Sequence, residues 1–381
     1  MKVAYFILND FDNDSRARLE VEKLADMGHR VEIIATTGGA SDKFHGCRIH
    51  RIPQWRGPTR KFRFVQYNLL AAAVARRLRP DVCHAVDLDT LPAAVLAGGR
   101  KAVIIYEARE LYTELEALRG RTAARGVWGA VEKRLIGRAA AVLTINESIA
   151  DELCRRYEIE RPVVIRNASP LPEELKPVDL RSLLKLPGDW KLLLYQGVLR
   201  RGQGLNTVVE LMPYLERTAL ILIGGGPLEK DMRALVERRN VGHKVRFLAK
   251  VAPDLLPGYT AGADAGLLLM EDVALNNRLA LPQKIFQYLV VGLPQIVTPL
   301  PELAKFVSGE KTGIVVRPER AEEMARQIRD FLFDADTYQK AKGHCRESAS
   351  RNNWENESLK LAEVYRRAVK GPAPNLLENA G

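Results

Sequence analysis

Three stretches in the second half of the chain place cations and glycines where they can hold a doubly charged phosphate group. In YQGVLRRGQG, residues 195–204, Arg200 and Arg201 stand between Gly197 and Gly202 and offer guanidinium forks beside open backbone N–H groups. In IGGGPLEKDM, residues 223–232, three glycines, Gly225 among them, precede a helical pattern that starts at Pro227. In LALPQKIFQYLVVGLP, residues 279–294, Pro282 opens an apolar helical pattern and Lys284 lies in its first turn. Helix N-termini favour anions, so a Lys there calls for a negative partner. A glycine-rich turn alone is explained by sterics. Together the three stretches describe a diphosphate held by two or three cations and several backbone donors. Gln287, one turn after Lys284, can hydrogen-bond a diol such as ribose, without the charge-assisted bonds a carboxylate would accept.

These residues need a frame, and the hydrophobic pattern supplies one. In the first half, residues 2–8, 30–36, 81–86, 102–108 and 141–145 read as buried strands, with helical patterns over 15–28, 61–79, 89–98, 124–138 and 147–157. Strand patterns at 191–197, 219–225, 245–249, 265–270, 294–298 and 312–316 alternate with helices in the second half. Near-continuous apolar strands alternating with helices predict an α/β chain of two doubly wound parallel sheets, each covered on both faces. Residues 166–179, with Pro170, Pro172 and Pro177 and no apolar period, read as a linker and hinge. The predicted division is a first domain over 1–168, a second over 169–355, a returning helix over 356–370 and a frayed tail over 371–381. Ligands of such sheets bind at the carboxyl ends of strands.

The chain of 381 residues, 46% hydrophobic and 28% charged, is long enough for two cores and reads as an ordinary globular protein. No apolar run is long enough to span a bilayer, and no signal peptide is evident, so a cytoplasmic protein is expected. Cys47, Cys83, Cys154 and Cys345 lack metal-ligand spacing, and no protein metal site is expected. The 58 basic and 47 acidic residues give a net charge of +11, unevenly placed. No acid occurs between Asp42 and Asp81, where Lys43, Arg48, Arg51, Arg56, Arg60, Lys61, Arg63, Arg76, Arg77 and Arg79 are interleaved with Trp55, Phe62 and Phe64. This is either a solvated basic face or a contact for anionic lipid headgroups at the inner face of a membrane. No nucleic-acid-binding module accompanies the charge.

In their order, YQGVLRRGQGL, LIGGGPL, VRFLA, LNNRLALPQKIFQYLVVGLPQIV and LPELAKFV resemble the donor half of retaining glycosyltransferases of family four, with the GT-B fold. FDNDSRARLEVEKLADMGHRVEII, DVCHAVDLDTLPAA and YEARELYTEL are similar to motifs of the acceptor half, so the resemblance covers residues 1 to 368. It implies two facing Rossmann-like domains with a cleft between them. It also implies transfer of a sugar from a nucleotide-diphosphate donor to a glycan or lipid-linked acceptor, with retention of configuration and no metal cofactor. By the same resemblance Arg200 holds phosphate with Arg201 as its rival, and Lys284 holds the nucleotide end. The stretch from Asn276 through Asn277 and Leu281 to Pro282 lines the sugar.

Three positions depart from the family pattern. Gln287 stands where a glutamate usually grips the ribose, and Leu279 where the glutamate eight residues earlier usually stands. The usual Asp-x-His-Glu reads Glu107-Ala108-Arg109-Glu110. Gln203 replaces a basic residue of the phosphate loop. Arg109 is permanently protonated and so unable to act as a base; it is expected either to stabilise developing charge, with Glu110 beside it, or to pair with Glu107 or Glu110. Asp87 and Asp89 follow a strand end, where they touch an acceptor hydroxyl or cap a helix. Arg16 is expected to reach the cleft as an acceptor ligand, and His84 to be a packed core histidine. A second cationic-aromatic patch surrounds Trp128. The competing readings are an epimerase, short of the acid–base groups it needs, and a catalytically silent protein of the same fold.

Overall fold

A computed structural model of the chain describes residues 1–54, 60–317 and 320–370. Trp55 and Arg56 of the basic stretch, and the tail 371–381, lie outside the described residues. Two compact units emerge: Met1–Arg166 together with the chain from Glu357 onward, and Asn167–Asn356.

The first unit is built on eight strands: β1 (Lys2–Phe6), β2 (Arg30–Thr36), β3 (Lys43–Phe44), β4 (Cys47–Ile52), β5 (Val82–Val86), β6 (Val103–Ala108), β7 (Ala141–Thr144) and β8 (Val163–Val164). Their order is β3-β4-β2-β1-β5-β6-β7-β8, parallel throughout except for the β3–β4 hairpin. The order reverses beside β1, and the crevice at such a switch point is where doubly wound sheets take their ligands. β2 coincides with its sequence reading, whereas β3 and β4 were not anticipated. In CRIHRI the buried Cys47, Ile49 and Ile52 are separated by His and Arg, which hid the edge strand inside a basic run.

The second unit holds β9 (Lys191–Gln196), β10 (Thr218–Ile223), β11 (Val245–Leu248), β12 (Ala265–Leu268), β13 (Gln295–Val297) and β14 (Gly313–Val315). All are parallel, in the order β11-β10-β9-β12-β13-β14, so this sheet reverses between β9 and β12. The continuous apolar runs follow from burial on both faces. Leu193 and Tyr195 of β9 enter one core, while Leu192 and Leu194 enter the other. Among the described residues no helix is long and apolar enough to cross a membrane.

Candidate functional site

The three anion-seeking stretches converge at the β9–β12 switch point. Pro282 occupies the N-cap position of the helix Gln283–Val290 without a side-chain cap, and the Ile285 amide bonds back to Pro282 O at 3.1 Å. Lys284, half-buried in that turn, donates from Nζ to Gln203 Oε1 at 2.7 Å and to the Tyr195 hydroxyl at 3.0 Å. Its ammonium also lies 4.2 Å from the centre of the Tyr195 ring. Burial, and secondarily the charge of Arg200, push its pKa down to about 7. Among the described residues Lys284, Arg200 and Arg201 form no ion pair with a carboxylate, and both arginines are exposed.

Glycine is required here by close approach. Gly197 has φ of 128°, and a Cβ on it would meet Lys284 Cε at 3.1 Å. A Cβ on Gly224, also at φ of 128°, would fall 2.2 Å from Gly197 O, so the two glycine-bearing loops pack backbone on backbone. Gly225 is exposed, and its carbonyl accepts from Leu199 N at 3.0 Å. Asn276 and Asn277 lie half-buried in the short helix Leu275–Arg278. The side chain of Leu281 is 3% exposed and packs in the apolar core that holds Ile285 and Phe286, which leaves its backbone as the part that can face a sugar.

Sequence reasoning missed Tyr195, Gln196 and Thr260, and marked Gln203 only as a departure from the family pattern. Tyr195 supplies the ring under Lys284, a signal present only as one aromatic in an aliphatic strand. Gln203 is the buried acceptor for Lys284. Gln196 and Thr260 are buried beneath Gln287: Gln196 Nε2 donates to Gln287 Oε1 at 2.7 Å, and Thr260 Oγ1 donates to Gln196 Oε1 at 2.8 Å. No sequence signal marked either.

The first unit has cations too, but each meets carboxylates. Arg109, with its side chain 12% exposed, donates from Nε to Glu107, from Nη1 to both oxygens of Asp14, and from Nη2 to the Tyr5 hydroxyl and Glu20. All three guanidinium nitrogens are thus engaged by groups of the first unit. This is the ion-pair alternative, with Glu107 and Asp14 as chief partners. Arg16 departs from its expected place as an acceptor ligand. It is 4% exposed, pairs with Glu20 at 2.9 Å and Glu107 at 2.6 Å, and donates to the carbonyls of Ile165 and Arg166. Burial raises the Glu107 carboxyl, but Arg109 and Arg16 overcome it and hold Glu107 well below the usual range. His84 is a packed core histidine, bonded through Nδ1 to the Tyr365 hydroxyl at 2.8 Å. Glu20, His84 and Glu107 have metal-ligand proximity, yet two guanidiniums already occupy the two carboxylates.

Asp87 and Asp89 do not cap the following helix; Thr90 holds that position. Asp87, at φ of 60°, accepts from Arg109 N at 3.0 Å, and Asp89 accepts from the Tyr112 hydroxyl at 3.4 Å. Burial and the neighbouring Glu110 raise both carboxyls, Asp89 to about 7. Glu110, Asp87 and Asp89 therefore form a half-buried acidic group at the ends of β5 and β6.

Comparison with known proteins follows this division. Residues 15–168 match the family described as glycosyl transferase 4-like domain, and residues 179–348 match glycosyl transferases group 1. A GDP-mannose-dependent alpha-(1-6)-phosphatidylinositol monomannoside mannosyltransferase of Mycobacterium tuberculosis is 27% identical over 201 residues, covering 51% of this chain and 52% of the relative. The chain spans about half the length of the curated relatives it matches first. Sucrose-phosphate synthase from Thermosynechococcus elongatus superposes with a TM-score of 0.80 at 20% identity, over 97% of this chain and 99% of that one. The Anabaena protein HepE, in complex with UDP-glucose, superposes with a TM-score of 0.77 at 14% identity, over 96% and 99%.

Proposed function

The chain belongs to the family-four-type glycosyltransferases of GT-B fold, and from that premise we propose that it transfers a sugar from a nucleotide-diphosphate donor to a glycan or lipid-linked acceptor, with retention of configuration. One observation carries the donor half of this reading. Lys284 feels the charge of Arg200 beside a strand switch point, Arg201 is the next residue, and among the described residues no carboxylate pairs with any of the three. A diphosphate supplies the missing charge. Arg200 and Lys284 hold the phosphates, Arg201 assists, and Gln287 meets the ribose. These cations take the neutralising role that a divalent metal plays elsewhere, so turnover is expected to survive chelator. In the retaining reaction the departing phosphate accepts the acceptor's proton on the same face, and fixed positive charge stabilises it as it leaves. With Arg109 already paired to Asp14, Glu20 and Glu107, that charge is assigned to Arg200 and Lys284.

The acidic group of Asp87, Asp89 and Glu110 is proposed as the place where acceptor hydroxyls bind. A lipid-linked acceptor at the inner face of an anionic membrane fits the adjoining surface. On the helix Arg60–Leu78, Phe62, Val65 and Leu69 are 58%, 52% and 58% exposed at helical spacing, with Arg76 and Arg77 exposed beyond them. Phe64 packs edge-on against Trp128 at 4.4 Å, which joins this helix to the second cationic patch.

The test is product formation from UDP-, GDP- and ADP-sugars with a panel of glycan and polyprenyl- or inositol-lipid acceptors in vesicles, with and without chelator. Transfer giving an α-linked product from an α-linked donor supports the reading. Nucleotide binding with no transfer or hydrolysis on any acceptor would contradict it.

A further inference from the structure

Lys244 and Lys284 both carry their amines inward, and they differ in what lies beside them. Lys244, 7% exposed, donates to the Leu215 carbonyl at 2.9 Å, and its charged neighbour is Glu216. Lys284 donates to Gln203 Oε1 and to the Tyr195 hydroxyl, and its charged neighbour is Arg200. The Tyr195 hydroxyl gives its own hydrogen to Val198 O, 2.9 Å away, and so it receives from Lys284. Burial raises the Tyr195 phenol, which keeps its proton, and the first turn of the Lys284 helix holds no acid. An ammonium has three N–H donors and a free amine two. Two described acceptors therefore suit the free amine and leave the nitrogen's third position without a described partner. That nitrogen is open from one side: Gly197 is exposed, and the Cβ it lacks would stand 3.5 Å from Lys284 Nζ. Burial and Arg200 both disfavour the charged form, so near neutrality roughly half of the amine is unprotonated, against fewer than about one in a thousand for an ordinary lysine.

We propose that Lys284 is an acylation site: a small acyl phosphate seats its phosphate on Arg200, and the Lys284 amine, open past Gly197, takes the acyl group. The proposal rests on the reading of this region as an anion site, and it adds a means of shutting that site. The nitrogen lone pair attacks the acyl carbon and forms a C–N bond. The C–O bond to phosphate breaks, and inorganic phosphate leaves with the electron pair. The proton shed by nitrogen goes to that phosphate or to water. The product is a neutral amide, so a nucleotide diphosphate loses one of its cations and meets the acyl group in its place. Lys244, whose charged neighbour is an acid, offers phosphate no such seat and serves as the internal comparison.

The experiment is incubation of the full chain with acetyl phosphate, following each lysine by peptide mass spectrometry, with the N-hydroxysuccinimide ester of acetate as an uncharged comparison reagent. At pH 7.5, acetyl phosphate is expected to modify Lys284 roughly tenfold or more faster than the exposed Lys340 and the buried Lys244. Inorganic pyrophosphate should protect Lys284. At pH 9, where its amine is free with or without the arginine, Arg200→Gln should slow the acetyl phosphate reaction roughly tenfold and leave the ester reaction within about twofold. Acetylated protein should then bind UDP, GDP or ADP at least about tenfold more weakly in calorimetry, with Lys284→Arg given the same treatment as the control for other lysines. Lys284 reacting no faster than Lys340 would overturn the proposal. So would equal slowing of both reagents in Arg200→Gln, which would leave the arginine no part in seating phosphate, or unchanged nucleotide affinity after acetylation. If none of the three nucleotides binds the unmodified protein while Lys284 is still acetylated selectively, the donor-site reading fails and the acylation site stands without it.

Discussion

Two groups of cations stand at the carboxyl ends of the two sheets, and they differ in what neutralises them. Arg16 and Arg109 are answered from within the chain by Glu20, Glu107 and Asp14. Lys284, Arg200 and Arg201 are answered by a tyrosine ring, amide and hydroxyl oxygens, and solvent. A buried cation inside a satisfied network holds a fold together, and removing one member leaves uncompensated charge. A half-buried cation without a counter-charge costs stability while empty and regains it when an anion arrives. On the proposed reading the first group is architecture, and the second is a site for an anionic ligand.

The largest effect that would break this contrast is Arg109→Ala. It leaves Arg16 alone to answer both Glu107 and Glu20 in the core and should cost about 3–5 kcal/mol, read as the urea midpoint of the first unit. Nucleotide affinity should hold in whatever fraction remains folded. Lost turnover at unchanged stability would instead make Arg109 a catalytic group. Next comes Lys284→Met, expected to lower diphosphate affinity by roughly 10–100-fold without lowering the stability of the empty protein. The folded pKa of Lys284, about 7, lies below its unfolded value. The unfolded chain therefore binds the extra proton between about pH 7 and pH 10, and the empty protein gains stability as pH rises through that window. Met at this position should remove that slope.

Smaller, and specific to the second group, is the pH dependence of binding. A bound diphosphate raises the Lys284 pKa, so above pH 7 binding must take up a proton. Affinity should then fall by up to about tenfold per pH unit. The smallest effect belongs to the acidic group of the first unit. Asp89, raised to about 7, holds its proton in the folded chain where the unfolded chain has lost it. Stability therefore falls as pH rises from about 4 to 7, and the penalty is complete above 7. Asp89→Asn should raise Tm by roughly 2–4 °C at pH 8, with the gain closing toward pH 4. A gain independent of pH would mean that the Asp89 carboxyl is not what titrates.

How much of this was legible depended on how local its cause is. The helix Glu147–Tyr157 has an amphipathic period and a capping Asn146, and both lie within a dozen residues. The pairing of Lys284 with a helix N-terminus is equally local, so the anion chemistry could be read from one stretch. Partnership across the chain left no such trace. Arg16 reaches Glu107 from 91 residues away and Ile165 from 149, and nothing in FDNDSRARLE announces either contact. Arg109 looked like a substituted catalytic position because its neighbours in sequence matched a motif, while two of its acid partners lie near the N-terminus. The burial of the Leu281 side chain was hidden for a simpler reason: it depends on how the helix it precedes packs on the core.

The central claim is that the second unit's cations await a nucleotide diphosphate. Its most direct test is calorimetric titration of wild type and Lys284→Met with UDP, GDP and ADP at pH 8, in two buffers of different ionisation enthalpy. The account predicts that at least one nucleotide binds the wild type with net proton uptake, and that Lys284→Met loses both the affinity and the proton. Equal affinity in the two proteins, or no binding of any of the three nucleotides to the wild type, would contradict it.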